Sequence, residues 1–259
     1  MKSTEPTVQL TIDDQSAVLV LNRGDKNAIN LEFAEQFRAA AVAIFKQQSR
    51  TVIITGGGKN FSFGGDLRAM RDATDVGAYL HGMTAALHEG LITLAALDVP
   101  VIAAVNGTVA GGGLGIALIA DLIVAGRSAK FVPAYTSIGL TPDAGVGFLL
   151  PRAIGRTRAI ELLLTNRILH ADEALNWGLI NRVVDDALLM VTAHGMAHQL
   201  RRGPQRAYAS VKRLLSAPLG ALKDHLQLES QAIIQQAASS EGNEGINAFL
   251  EKRAPVFGA

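Results

Sequence analysis

Residues 101–125 read VIAAVNGTVAGGGLGIALIADLIVA, and the fold turns on this stretch. A short apolar run, Val101 to Val105, is followed by a glycine triplet at Gly111 to Gly113, a helical pattern, and a second run from Asp121 to Ala125. Upstream, TVIIT (Thr51 to Thr55) is a third run of the same kind, again separated from the next by a helical pattern. Strand, helix, strand, helix, strand predicts parallel pairing through right-handed crossovers, hence an α/β architecture. The longest apolar stretch, Leu114 to Val124, is interrupted by Gly115 and Asp121 and falls short of the roughly 20 residues a membrane-spanning helix needs. It reads as a buried segment, with Asp121 a buried, hydrogen-bonded structural acid.

Outward from this centre, VQLTI (Val8 to Ile12) and AVLVLN (Ala17 to Asn22) flank a polar turn at residues 13–16 and predict a hairpin. Asn30 is placed to cap a helix whose buried face carries Leu31, Ala34, Phe37, Ala41, Ile44 and Phe45, running through Gln48. From about Arg156 strand signals cease, and the remainder reads as helices broken at Gly178, Gly203-Pro204, Pro218 and Gly242, packed on the α/β core.

The chain has 259 residues, 49% hydrophobic and 18% charged, with 24 basic against 23 acidic side chains. A disordered chain would carry fewer apolar residues, and a polyanion binder a large basic excess. Without cysteine there is no thiolate nucleophile and no thiolate metal site. No histidine pair has metal-ligand spacing with a third partner, so no metal is expected. His81 and His88, seven apart on a helix between Asp75 and Leu97, can share one face near a binding pocket, with solvated or core-edge positions the preferred reading. The basic stretch Arg201, Arg202, Arg206, Lys212, Arg213 has only Tyr208 interleaved, so no nucleic-acid partner is expected. MKSTEPT (residues 1–7) is polar and broken by Pro6, which predicts a cytoplasmic protein without a membrane partner.

Three glycine clusters remain: Gly56 to Gly58, Gly64-Gly65, and Gly111 to Gly113. GGGKN lacks the spacing and the Ser/Thr of a P-loop, and around Gly111 the dinucleotide register ends on Ile116 rather than glycine. Two readings stay open. The glycines serve tight turns only, or their unpaired amides at helix openings hold a developing oxyanion.

Four segments, in this order and spacing, resemble the enoyl-CoA hydratase/isomerase (crotonase) family: ITGGGKNFSFGGDL (54–67), AAVNGTVAGGGLGIALIADLIVA (103–125), IGLTPDAG (138–145) and AFLEKRAPVF (248–257). The resemblance implies a spiral of ββα turns over residues 1–200 and a helical C-terminal region over 201–259 that mediates trimers, often paired as hexamers. It implies an acyl-CoA thioester substrate, with coenzyme A part of that substrate and no separate cofactor. The shared chemistry is a thioester enolate held by two backbone amides, which carry over to Gly65 and Gly112.

In hydrating members of that family two glutamates bracket a water, and their positions here are Gly115 and Tyr135. Glycine has no proton to exchange, and a phenol is a poor base at neutral pH. Asp143 falls where isomerising members, of the Δ3,Δ2-enoyl-CoA and 1,2-epoxyphenylacetyl-CoA type, carry one catalytic carboxylate. An acyl-CoA isomerase is therefore the leading expectation. A hydratase with another water arrangement, a 4-halobenzoyl-CoA dehalogenase with a nucleophilic acid, and an inactive oligomeric scaffold are the alternatives.

The same resemblance implies a substrate-binding set of Lys26, Ala28, Phe63, Gly64, Asp66, Leu67, Arg68, Tyr135 and Lys252, the last able to reach the coenzyme A of a neighbouring subunit. Asp66 is also read as a helix cap, Asp98 as a loop residue and Trp177 as core. Gly24 stands where the family usually has proline.

Overall fold

The computed structural model describes residues 5–13, 15–215 and 218–257. Asp14 of the expected turn and residues 1–4 lie outside them. The elements are β1 (Val8–Asp13), β2 (Ser16–Leu21), α1 (Leu31–Lys46), β3 (Thr51–Gly56), α2 (Leu67–Arg71), α3 (Val76–Ala95), β4 (Val101–Val105), β5 (Thr108–Ala110), α4 (Gly112–Leu118), β6 (Leu122–Gly126), β7 (Lys130–Val132), α5 (Val146–Ile154), α6 (Arg156–Thr165), β8 (Leu169–His170), α7 (Ala171–Asn176), β9 (Arg182–Val184), α8 (Leu189–Arg201), α9 (Gln205–Leu215), α10 (Leu219–Ala237) and α11 (Ser240–Glu251).

A six-stranded sheet runs β1-β2-β3-β4-β6-β9, antiparallel only at the β1/β2 hairpin, and a three-stranded sheet runs β5-β7-β8. The units β4-β5-α4 and β6-β7-α5 each give one strand to either sheet and then a helix, so the chain winds as ββα turns. β3 and β4 are buried along their whole length, as parallel strands covered on both faces must be. Leu19, Ile54, Ala103 and Ile123 lie in register and face the main core with α1 and α3. Ile53, Ile102, Ala104 and Val124 point the other way, onto Leu189, Ala193 and Ala197 of α8.

The Asn30 side chain accepts the Phe33 amide at 2.9 Å, so α1 starts where its cap residue predicts. It ends at Lys46, two residues early, and Phe45 is 57% exposed: its face has left the core by the last turn. Strands do not cease at Arg156, because β8 and β9 follow. With two and three residues they are too short to show a period-two pattern. Gly203-Pro204 and Pro218 do separate helices, but Gly242 lies inside α11. A side chain there would run into the Gln236 carbonyl where α11 crosses the end of α10, so this glycine serves packing rather than a break. Asp121 accepts the Val101 amide and pairs with Lys212 at 2.6 Å, a structural acid, yet its side chain keeps 28% of its surface exposed and is not buried. Asp98 pairs with Arg213 on the surface. Trp177 is half-buried at the core edge, between the guanidinium groups of Arg158 and Arg167.

The helical C-terminal region packs on helices of the core. α10 packs on α3, joined by Thr84 and Ser230 hydroxyls 2.8 Å apart, and α11 folds back toward α2. Among the described residues, no helix is long and apolar enough to cross a membrane.

Candidate active site

Two glycine loops meet beside a cavity of about 840 Å³. In the first, the Ser62 hydroxyl donates to the Asn27 carbonyl and accepts the Gly64 amide at 3.1 Å. The Ile29 amide donates to the Gly64 carbonyl and the Asp66 amide to the Ile29 carbonyl, a parallel bridge. Its geometry turns the intervening Gly65 amide away from residue 29. In the second loop, the Gly111 amide donates to Val132 and Pro133, while Gly112 opens α4, where an amide has no partner within its own helix. The loops touch at Gly64, whose φ of +78° suits glycine; a β-carbon there would lie 2.8 Å from the Ala110 carbonyl and 2.9 Å from the Gly112 nitrogen. Gly65 and Gly112 both line the cavity, and Gly64 sits behind them as their contact.

Asp143 lines the same cavity and is 4% exposed. Its Oδ1 lies 2.8 Å from Nε2 of His88, a buried residue of α3. The Tyr135 hydroxyl donates to the Asp143 carbonyl at 2.8 Å. Burial first, and the nearby Asp143 and Glu229 charges second, push that phenol well above its ordinary pKa, so it stays a neutral donor. Tyr135 thereby holds the aspartate's backbone. At Gly115, a β-carbon would collide with the Ala144 carbonyl, which leaves no room for a carboxylate side chain.

Behind Asp143, Glu229 of α10 accepts the Gly145 amide at 2.6 Å and the Gly147 amide at 2.7 Å. Burial, then the Asp143 charge, pushes its carboxyl up to about 7, against the pull of the two amides and of His88.

Lys26, Ala28, Phe63, Asp66, Leu67, Arg68 and Lys252 line the cavity together with the buried Tyr135. Lys26 Nζ lies 5.9 Å from the centre of the partly exposed Phe63 ring. Asp66 caps α2 through the Arg68 and Ala69 amides and pairs with Arg23 at 2.8 Å, so it is engaged on both oxygens. Lys252, in a left-handed conformation at the end of α11, borders its own chain's cavity. Asn27 pins the Lys26 loop: it is fully buried, donates to the carbonyls of Gly57, Asn60 and Phe61, and accepts the Arg23 amide. Gly24 has φ of +63°, which the proline ring cannot adopt, so the loop is shaped differently from one built on proline. The interior is apolar, with Met70, Met83, Leu87, Leu140, Ile233 and Leu250.

Sequence reasoning missed three of these residues. His88 was expected at a solvated or core-edge position and is instead buried on Asp143, while His81 is exposed. The signal lay in spacing: His88 follows Leu80, Thr84 and Leu87 on the buried face of α3, and Glu229 follows Leu222 and Leu226 on that of α10. An ionisable group on such a face needs a polar partner. Arg23, which clamps Asp66 and the Ala28 carbonyl, carried no such signal.

The same arrangement of chain is found elsewhere. Residues 12–259 match the family described as enoyl-CoA hydratase/isomerase. A probable enoyl-CoA hydratase of Rhodobacter capsulatus is 36% identical over 254 residues, 97% of each chain. The 1,2-epoxyphenylacetyl-CoA isomerase of Escherichia coli is 38% identical over 244 residues, 92% of this chain and 93% of that one. The crystal structure of an enoyl-CoA hydratase from Mycobacterium avium subsp. paratuberculosis superposes with a TM-score of 0.85 at 30% identity, covering 98% of this chain and 99% of that one. Similarity in sequence and in shape, sustained over nearly the whole length, fixes the membership: the chain belongs to the enoyl-CoA hydratase/isomerase family.

Proposed function

We propose that this enzyme is an acyl-CoA isomerase that shifts a double bond, or rearranges an epoxide, through a thioester enolate. In the double-bond shift, Asp143 removes a proton from the carbon next to the thioester or its vinylogue, the C–H electron pair becomes a C=C bond as the carbonyl π pair moves onto oxygen, and on collapse of the enolate Asp143 returns the proton at the other carbon. The amides of Gly65 and Gly112 hold the oxyanion between the two steps; a donor of this kind contributes about 3 kcal/mol to a transition state. His88 fixes Asp143 Oδ1, leaving the second oxygen for the substrate proton. The cycle closes on itself, so coenzyme A enters as part of the substrate and no separate cofactor is consumed.

The observation that carries this reading is that the cavity wall shared by the two amide loops bears one buried aspartate, while Gly115 has no room for a second acid and Tyr135 is a neutral donor. The relatives' names include both isomerase and hydratase, and this site chemistry favours the first. Lys26, Arg68 and Lys252 at the mouth suit the phosphates of an acyl-CoA. Exposed Val211, Leu214, Leu215 and Leu228 on α9 and α10 support a homo-oligomer, trimer or hexamer, which sedimentation would measure.

The test is to incubate the purified protein with a 3-enoyl-CoA, a 2-enoyl-CoA and 1,2-epoxyphenylacetyl-CoA, alongside Asp143→Asn, and to separate the products chromatographically. The expected result is isomerised product from the first or third and none from the variant. A variant with the full rate, or a hydrated product alone, overturns the reading.

A further inference from the structure

Glu229 lies outside the cavity, yet it holds the turn that carries the base. Asp143 is followed by two residues in the left-handed region, Ala144 at φ +60° and Gly145 at +81°. Such a conformation costs free energy at a non-glycine residue and persists where the surroundings over-determine it. The surroundings here are the Tyr135 hydroxyl on the Asp143 carbonyl, the Val146 amide on the same carbonyl, and both oxygens of Glu229 on the Gly145 and Gly147 amides. Gly147 has no side chain to keep α10 away: a β-carbon there would lie 2.7 Å from Glu229 Oε1 and 3.1 Å from His225 Nε2.

We infer that Glu229 is a positioning residue for Asp143: as a carboxylate it ties down the base-carrying turn through two amides, and on protonation it releases one of them. The proposal rests on the reading of Asp143 as the base. A carboxylate can accept at both oxygens, whereas the protonated acid turns one of them into a donor, which then faces an amide donor.

The groups around Glu229 make that proton available near neutrality. On α10 itself, His225 Nε2 lies 3.4 Å away one turn back, held below its ordinary value chiefly by burial and also by Arg152 of α5. From the turn come the Asp143 charge and the Tyr135 hydroxyl, and from α3 comes His88. The Asp143 charge favours the protonated acid, while the two amides and His88 favour the carboxylate. One proton is therefore contested by a buried cluster that spans the sheet-side turn, α3 and α10.

The test compares wild type, Glu229→Gln and Asp143→Asn. Steady-state kcat and KM are measured from pH 5.5 to 9, and amide hydrogen exchange of residues 143–148 is measured at pH 6 and pH 8, corrected for intrinsic rates. The glutamine keeps one acceptor and opposes the second amide with a donor. Its kcat is expected to fall about tenfold at pH 8, with KM within about twofold, and to lack the ionisation near neutrality expected of wild type. Wild-type Gly145 and Gly147 amides should be better protected at pH 8 than at pH 6, and those of the variant equally protected at both. An unchanged kcat profile in Glu229→Gln, or equal protection of the wild-type amides at both pH values, overturns the proposal. The second result is available even if the variant does not fold. Loss of the Asp143 reading would appear separately, as full turnover in Asp143→Asn, while the exchange measurement still reports on Glu229.

Discussion

His88 and Asp143, 55 residues apart in sequence, meet through a 2.8 Å contact between Nε2 and Oδ1 with both side chains almost wholly buried. The pair joins α3 to the turn after Tyr135, so the orientation of the acid depends on a helix that contributes no other polar group to it. His88→Ala is expected to lower kcat by about ten- to a hundredfold, the equivalent of one hydrogen bond to a charged group, and to leave KM nearly unchanged. Steady-state isomerisation kinetics measure it. A kcat equal to wild type would show that the aspartate needs no such support.

Gly64 keeps the two amide loops together. In Gly64→Ala the new β-carbon meets the Ala110 carbonyl and the Gly112 nitrogen at under 3 Å, on backbone held at positive φ. The loops must separate, moving Gly65 and Gly112 at once. A loss in kcat of about a hundred- to a thousandfold is expected, the size of one displaced oxyanion donor. Retention of wild-type kcat in the folded variant would argue against backbone amides as the stabilising groups.

Gly115→Glu tests the missing second acid. The substitution is expected to lower stability by about 1–3 kcal/mol or more, as overpacking does, without adding water to a 2-enoyl-CoA. Urea unfolding and an absorbance assay for hydration give the two readouts, and a stable, hydrating variant would contradict the steric account.

Glu229 links stability to pH. Its carboxyl is pushed up to about 7 from an ordinary 4.5, so the folded chain binds this proton more tightly than the unfolded chain. The contribution is therefore complete below pH 4.5 and is lost as pH rises to about 7, a total of about 3 kcal/mol. Unfolding free energies of wild type and Glu229→Gln at pH 5 and pH 8 should show wild type losing most of this amount, about 2.5 kcal/mol, relative to the variant. Parallel behaviour would place the ionisation elsewhere. The pH that destabilises the fold is also the pH at which Glu229 grips both amides.

The central sheet was legible because its signals are local: Asn30 caps a helix, the run at 51–55 is β-branched, those at 101–105 and 121–125 are short and apolar, and helices separate them. β8 and β9 escaped because two or three residues carry no period. At the site, the glycine loops, Asp143 and Tyr135 were found through motifs and come together on one cavity. His88 and Glu229 belong to helices whose apolar faces absorb attention, and only their juxtaposition with the 143–147 turn, which sequence does not display, marks them out.

The collision between position 115 and the Ala144 carbonyl also bears on how such enzymes diverge. Ala144 directly follows Asp143, so a chain that places a glutamate at 115 has to relocate the very segment that presents Asp143. Either change alone costs stability in this backbone. A carboxylate at 115 and the present course of the 143–147 turn therefore exclude one another, and a chain that carries both acids has to be built on a different turn.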